Sequence, residues 1–244
     1  PIVTQDVTWT SDFNIAWNHN KITKLTATDD PDFFIPTGGI SAGTGGTIQA
    51  HKVGHPAYSY LVYQQVYDQN GDPIEGQYVD RNGDGQITEA DKYLYHSRDP
   101  KVVLTWNNTV NYKNWDFGIV LRANIGNWVY NDFEASNVSK SSTASVPLSN
   151  LMANRFLFND LGVKGVQSDY FVRNASFLRC DNITVGYTWP SLLNNALRLR
   201  LYGAVQNPFV ITKYNGLDPE VFSGIDNGVY PRPITVSLGV VASF

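Results

Sequence analysis

The stretch from Asp80 to Asp91, DRNGDGQITEAD, carries oxygen-bearing residues at a spacing that defines a chemistry. Side-chain oxygens stand at its first, third and fifth positions (Asp80, Asn82, Asp84), a glycine at the sixth (Gly85) and a carboxylate at the twelfth (Asp91). In that order a twelve-residue loop wraps a hard divalent cation in oxygen, with the glycine making the sharp turn. Gln86 would add its backbone carbonyl, Ile87 would point inward and Thr88 would hold a water. Asp91 stands where a longer, bidentate Glu is usual, which gives a weaker calcium site or one that accepts magnesium. The competing reading is a plain turn in a polar loop. Flanking helices with EF-hand periodicity are not evident, so the loop reads as a staple and not as a calcium switch.

No other set of side chains points to catalysis. The glycines from Gly38 to Gly46 lack the Lys-Ser/Thr of a phosphate loop. His19, His51, His55 and His96 share no metal-ligand spacing, and the single cysteine, Cys180, permits neither an internal disulfide nor a Cys-based zinc site. No Ser-His-Asp set or carboxylate pair falls on a rigid element, so the chain does not read as an enzyme. A net charge of -4 gives no reason to expect a nucleic-acid partner.

The elements that position these residues are β-strands. Of 244 residues, 42% are hydrophobic and 13% aromatic but only 16% charged, against ~25% charged in an average soluble chain. That leaves ample apolar surface to bury and too little Glu, Lys and Leu for a helix-rich domain. Period-two alternation recurs in segment after segment, and about nine strands follow: 6–18, 20–28, 46–54, 57–67, 100–112, 115–130, 169–189, 196–212 and 231–244. Most exceed the ~5–6 residues of a soluble strand and suit the ~9–11 needed to cross a bilayer at a tilt. No apolar run approaches the ~20 residues of a transmembrane helix. Pro1 to Asp6 carry no basic residue and lead into no apolar run, so no secretory leader is read there.

Short turns at His19-Asn20, His55-Pro56, Lys113-Asn114 and 190–195 alternate with long excursions at 29–46, 68–99, 132–168 and 207–230. Short turns on one rim and long loops on the other are the layout of an outer-membrane barrel. Trp17, Tyr112, Trp115 and Trp189 fall beside short turns, and Trp128 and Tyr130 where a strand opens into a long loop, as two interfacial girdles would place them. Alternation assigns Phe13, Ile15, Trp106, Phe117, Ile119, Leu199, Leu201, Val236 and Leu238 to lipid. It assigns Asn14, Asn107, Arg122, Arg198 and Ser237 to the lumen, with Arg179 and Arg200 sharing the lumen parity.

Ser237, Gly239, Ala242 and Phe244 have the spacing of a barrel-assembly signal, in which an aromatic-ended edge strand pairs with the assembly machinery. With Phe244 periplasmic, the long loops are extracellular and the first of nine strands runs downward. An odd set cannot close on itself, and unpaired edges in lipid are prohibitive, so both edges are expected to continue into the same parent polypeptide. Pairing of 6–18 with 231–244 would instead give a small passive porin. The soluble alternative is a secreted calcium-stapled carbohydrate-binding sandwich.

Several stretches, in order, resemble the C-terminal part of the SusC-type TonB-dependent transporters. They are Trp9 to Lys21, Tyr78 to Asp91, Asp99 to Lys101, Ser176 to Arg179 with Asn182 to Tyr187, Gln206 to Phe209, Thr212 to Tyr214, Gly216 to Glu220 and Tyr230 to Phe244. The loop 132–168 does not match. The resemblance implies an all-β, antiparallel transmembrane β-barrel segment, about nine strands of a larger, 22-stranded, plugged barrel of which residues 1–244 are the C-terminal part. A plug domain, a TonB-contacting segment and the earlier strands would lie outside this sequence. It further implies import of bulky nutrients, oligosaccharides or peptides, with a SusD-like surface lipoprotein and the TonB complex as partners. The implied location is the outer membrane of a Gram-negative bacterium.

Overall fold

Two kinds of strand alternate along the chain, and they belong to different sheets. The long ones are β2 (Val7–Trp17), β9 (Val102–Tyr112), β10 (Trp115–Ile125), β13 (Phe177–Leu192), β14 (Leu197–Thr212) and β15 (Thr235–Ser243). With the two-residue β1 (Ile2–Val3) they make one antiparallel sheet in the order β1-β2-β9-β10-β13-β14-β15. The short ones are β3 (Phe34–Gly39), β4 (Thr47–Lys52), β5 (Ser59–Val62), β6 (Gln65–Tyr67), β7 (Pro73–Tyr78), β8 (Tyr93–Ser97), β11 (Trp128–Tyr130) and β12 (Val172–Asn174). They form a four-stranded sheet, β3-β4-β5-β8, and two ribbons, β6-β7 and β11-β12, joined by the short helices α1 (Asp132–Asn137) and α2 (Gly162–Val166).

The structure, a computed structural model, describes residues 1–27, 30, 32–43, 45–138, 158–194 and 196–244. The end of the expected 20–28 strand, Asn195 of the 190–195 turn, and parts of the expected 29–46 and 132–168 excursions lie outside the described residues. Among the described residues no helix is long and apolar enough to cross a membrane.

Register sorts the long strands into two faces. Phe13 pairs with Trp106 and Trp106 with Leu121; Phe117 pairs with Val110 and with Val185; Leu201 pairs with Val240 and Val205 with Val236. All nine residues assigned to lipid by alternation share this face, and Asn14, Asn107, Arg122, Arg198 and Ser237 share the other. The apolar face is open: Leu238 is 88% exposed, and Phe13, Ile15, Trp17 and Val236 are exposed with it. A contiguous patch of this kind is unfavourable in water and at home in hydrocarbon. No second sheet covers it among the described residues, as a sandwich would require. β1 and β15 are the edges of the sheet, and β2 does not pair with β15, so the closure of a small porin is not made.

Among the described residues the wall has seven strands and not the expected nine. Segments 46–54 and 57–67 leave the wall: Ile48, Gln49 and Ala50 are consecutively buried, as are Ser59 and Tyr60. Alternation reads the same for a strand facing lipid and for one packed on both faces, so pattern alone could not separate them. The described part of 20–28 is not a strand. Ile22 instead exchanges backbone hydrogen bonds with the turn at Gly54 and His55. His19-Asn20 and His55-Pro56 are therefore not barrel turns, and everything from 18 to 101 is one excursion between β2 and β9. β1, too short to show alternation, keeps the count odd. Of the wall's three short hairpins, β1-β2, β9-β10 and β13-β14, the last two turn on left-handed residues, Lys113 (φ 51°) and the pair Leu193 and Asn194 (φ 50° and 57°).

At the opposite rim the three long excursions fold together into a cap with its own core, which includes Ile48, Tyr60, Tyr130, Phe158, Phe171 and Ile225. Backbone bridges tie them: Tyr63 with Ser168, and Tyr130 with Ile225. The Asp132 carboxylate, at the start of α1, accepts from the Ser41 and Ala42 N–H groups at 2.8 and 2.9 Å. Trp128 and Tyr130 belong to this cap and not to a girdle: Tyr130 is buried in its core, and Trp128 stacks on His96 at 3.6 Å. Trp17, expected beside a short turn, stands at the cap rim opposite Val102. The short-turn rim carries a continuous aromatic row, Trp115 to Tyr187 at 4.8 Å and Tyr187 to Trp189 at 4.6 Å.

Candidate functional site

The polar face of the sheet is held by ion pairs that reach across strands and into the cap. Arg122, on β10, chelates Glu220 with Nη1 and Nη2 (2.7 and 3.0 Å) and Asp181 with Nε and Nη2 (3.0 and 3.2 Å). Arg179, on β13, donates to Asp218 at 2.6 Å, both side chains being buried, and lies 3.6 Å from Glu220. Arg232 completes the set with an ion pair to Glu220. Burial would raise the Glu220 carboxyl, but hydrogen bonds from Arg122 and Arg232 outweigh it and hold the group below its ordinary range. The loop between β14 and β15 is thus strapped to the polar face of the wall through Asp218 and Glu220.

Two local devices make these pairs possible. Strict alternation would aim Asp181 at lipid along with Ile183. A β-bulge, seen where Val120 faces Asn182 but Leu121 faces Cys180, swings Asp181 to Arg122 instead. Nearer the short turns, Arg200 on β14 forks onto Asp116 on β10 at 2.9 and 2.6 Å, passing over β13 between them. Gly186 makes the passage: a Cβ there would stand 2.5 Å from the Asp116 carboxylate and 2.7 Å from Arg200.

The acidic loop is tightly folded by its own backbone. Asp80 accepts from the Gly83 and Gly85 N–H groups (2.7 and 2.8 Å), Asn82 from Asp84 (2.9 Å), and Asp84 from Gln86 (2.8 Å). Gly83 and Gly85 take the left-handed conformation that this winding needs (φ 76° and 79°). Asp91 is wholly buried and accepts from Thr88 (2.7 Å), Arg81 (2.9 Å) and Asn82 (3.3 Å), bonds that hold its carboxyl below the ordinary range. Thr88 caps the short turn Glu89–Asp91, its Oγ1 accepting from Ala90 N–H. Gln86 keeps its place in the loop. Among the described residues no three His, Cys, Asp or Glu side chains gather as a metal site requires. The donor types suit a hard cation; the Asp80, Asp84 and Asp91 carboxylates each accept N–H groups, and the Asp80 side chain lies within hydrogen-bond reach of Asp91.

Of the four expected assembly residues, Ser237 and Gly239 lie on the polar face and Ala242 on the apolar one, while Phe244 is fully exposed. Gly239 has a packing reason of its own, because the Tyr202 ring across the strand pair would meet a Cβ at 2.3 Å.

Over 258 aligned positions that take in the whole chain, 48% are identical to the TonB-dependent receptor SusC of Bacteroides thetaiotaomicron. The chain is part of a SusC-type TonB-dependent receptor. It spans about a quarter of that SusC relative, 25% of its length, and 27% of the TonB-dependent receptor P3 of Formosa agariphila, to which it is 27% identical. No family model matches it. Two structures of the RagAB peptide importer, one in a closed-closed and one in an open-open state, share its fold. Both give TM-scores of 0.74 at 16% and 18% identity, with 100% and 99% of this chain covering 28% and 27% of those chains. The SusC-type receptors are transporters of the Gram-negative outer membrane and not enzymes, and the exposed apolar face of the wall agrees with that location.

The sequence reading placed Arg122 and Arg179 on the polar parity but did not find their partners. The available signal was the pair of acids in the Gly216 to Glu220 stretch, two carboxylates in a loop facing two wall arginines.

Proposed function

We propose that the parent receptor actively imports a bulky nutrient across the outer membrane, this segment supplying wall and extracellular cap. The observation that carries the reading is the division of one open sheet into a lipid-compatible apolar face and an ion-paired polar face onto which a cored cap is strapped. In this reading the short-turn rim is periplasmic and the cap extracellular. Both edges of the sheet pair with strands of the same polypeptide, since lipid cannot satisfy their N–H and C=O groups. Energy comes from a periplasmic TonB complex acting on a plug within the barrel. A SusD-like lipoprotein sits over the cap, a proposal supported by the likeness to a chain of the two-component RagAB importer. The test is uptake by cells carrying the full-length receptor: it should stop when the proton-motive force is dissipated or TonB is deleted. Uptake indifferent to both would leave a passive pore.

The acidic loop, in the same reading, binds calcium through Asp80, Asn82, Asp84, Asp91, the Gln86 carbonyl and a water on Thr88. A carboxylate oxygen that accepts one N–H keeps a second lone pair, so a cation would draw these groups together without unwinding the loop. Ligand distances of ~2.3–2.6 Å would identify calcium and ~2.0–2.1 Å magnesium. Calorimetric titration of the metal-stripped receptor with each chloride, repeated on Asp84→Ala, decides it. Absence of heat with both ions makes the loop a turn and nothing more.

A further inference from the structure

Four glycines lie within the wall strands, and three of them have a reason inside the chain. A Cβ on Gly118 would stand 2.7 Å from Thr184 Oγ1, one on Gly186 would stand 2.5 Å from the Asp116 carboxylate, and one on Gly239 would enter the Tyr202 ring. All three face the polar side. Gly203, on β14, is the exception. It pairs with Val185 and Leu238, which puts it on the apolar face. Its backbone is not left-handed, and the nearest atom to a Cβ there is Leu238 Cδ2 at 3.5 Å, an ordinary contact. Neither conformation nor packing within the chain asks for glycine at this position. A glycine inside a strand weakens it and often marks close approach by something else.

The missing side chain opens a furrow of about 1040 Å³ on the membrane-facing side of the wall. Val185 on β13 and Leu238 on β15 are its banks, and Trp115, Tyr187 and Trp189 of the aromatic row close it at the short-turn rim. The Tyr187 hydroxyl accepts from Asn114 of the turn at 3.4 Å, so polar groups gather at the rim end, while the side chains farther in are aliphatic. The dimensions select an occupant. Banks on strands two apart stand ~9–10 Å from backbone to backbone, and their own bulk narrows the space to about one hydrocarbon chain. A helix, ~10–12 Å across, is too wide. From Leu199, which pairs with Trp189, to Gly203 the strand advances ~13 Å, within the ~15 Å depth of one leaflet. Aromatic rings of this kind stand at headgroup level, and Lys113 in the adjoining turn, half exposed and 4.0 Å from Asp6, supplies a cation there. We propose that the furrow over Gly203 holds one acyl chain of a phospholipid from the leaflet on the short-turn side, as a resident lipid and not as exchanging solvent. The proposal is independent of what the receptor imports and of how import is driven.

The full-length receptor, stripped of lipid in detergent, is titrated with dioleoyl phosphatidylethanolamine and phosphatidylglycerol, and bound lipid is counted by native mass spectrometry. One phospholipid should be held about tenfold or more tightly than any further one. Gly203→Leu, which puts a side chain on the furrow floor, should abolish that preference. Ile15→Leu, on the same face of β2, should keep it. A phosphatidylethanolamine with a diazirine in its acyl chain probes the unaltered receptor, and its crosslinks should concentrate on 185–189, 199–203 and 238–240. If Gly203→Leu does not fold, these crosslinks decide. No lipid held above the rest, a preference unchanged by Gly203→Leu, or crosslinks spread evenly over the apolar face would overturn the proposal. Tighter retention of lipid A or of a triacylated lipopeptide would also overturn it, by assigning the furrow to another lipid. A dimer that becomes a monomer in Gly203→Leu would do the same, by assigning it to a second copy.

Discussion

Glu220 meets three guanidinium groups, and its neighbour Asp218 is buried against a fourth contact from Arg179. Because Asp218 and Arg179 are both shielded from water, Asp218→Ala should cost ~3–5 kcal/mol, since the buried guanidinium would keep only its longer contact with Glu220. Glu220 and Arg122 are each about a quarter exposed, so Glu220→Gln should cost less, ~1–3 kcal/mol. Denaturant unfolding of the two variants in the full-length receptor should preserve that order. The pH dependence has a definite sign. A carboxyl held below its ordinary range in the folded state contributes stability above its unfolded pKa and loses it as pH falls through the folded one. Glu220 and Asp91 both belong to this class. The cap should therefore be fully docked at neutral pH and loosen as the solution is acidified below about pH 4, read by cap tryptophan fluorescence. Loosening on the alkaline side instead would show that other groups govern docking.

At the scale of the element, each wall strand is specified by what one face can tolerate. Leu201 lies on the apolar face of β14 and is exposed on it, while Arg198 lies on the other face near the turn. Leu201 stands opposite Tyr187 of the rim's aromatic row, so the deeper Val205, between Ile183 and Val236 on the same face, gives the sharper test: Val205→Arg should cost ~2–4 kcal/mol near the bilayer midplane and Arg198→Lys almost nothing, a contrast that folding titrations in liposomes would show. Equal costs would mean that the faces are misassigned. Gly186→Ala tests the passage of the Arg200–Asp116 pair across β13, since the added methyl occupies the space of both charged groups. It should destabilise more than Gly203→Ala, where the nearest atom to a new Cβ is 3.5 Å away, with thermal unfolding as the measure.

For the whole molecule, the consequential feature is that a seven-stranded sheet ends in two edges, β1 and β15. In the full-length receptor the amides of β15 that point away from β14 should exchange as slowly as those that point toward it, because another strand pairs there. Rapid exchange along that edge alone would count against a continuing barrel. The cap should behave as one cooperative unit, since its three excursions share a core and bridging hydrogen bonds. A cut in any one of them is expected to expose the others to protease.

Alternation with a period of two is written into single strands, so the sequence alone determined the two faces of the wall. Phe13, Trp106, Phe117 and Leu238 could be separated from Asn14, Asn107 and Ser237 without coordinates, and the 48% identity to a curated receptor agrees with the family read from them. The oxygen spacing from Asp80 to Asp91 was equally local, and so were its left-handed glycines. Tertiary structure alone decided which apolar strands are wall and which are cap. Ile48 and Tyr60 alternate no differently from wall residues, and only contact with Phe158, Phe171 and Ile225 makes them core. It also decided where the charges close. Asp181 reaches Arg122 through a bulge that shifts register by one residue, and Glu220 reaches Arg122 from 98 residues away. Such pairings depend on the distance between segments in space, which no local pattern encodes.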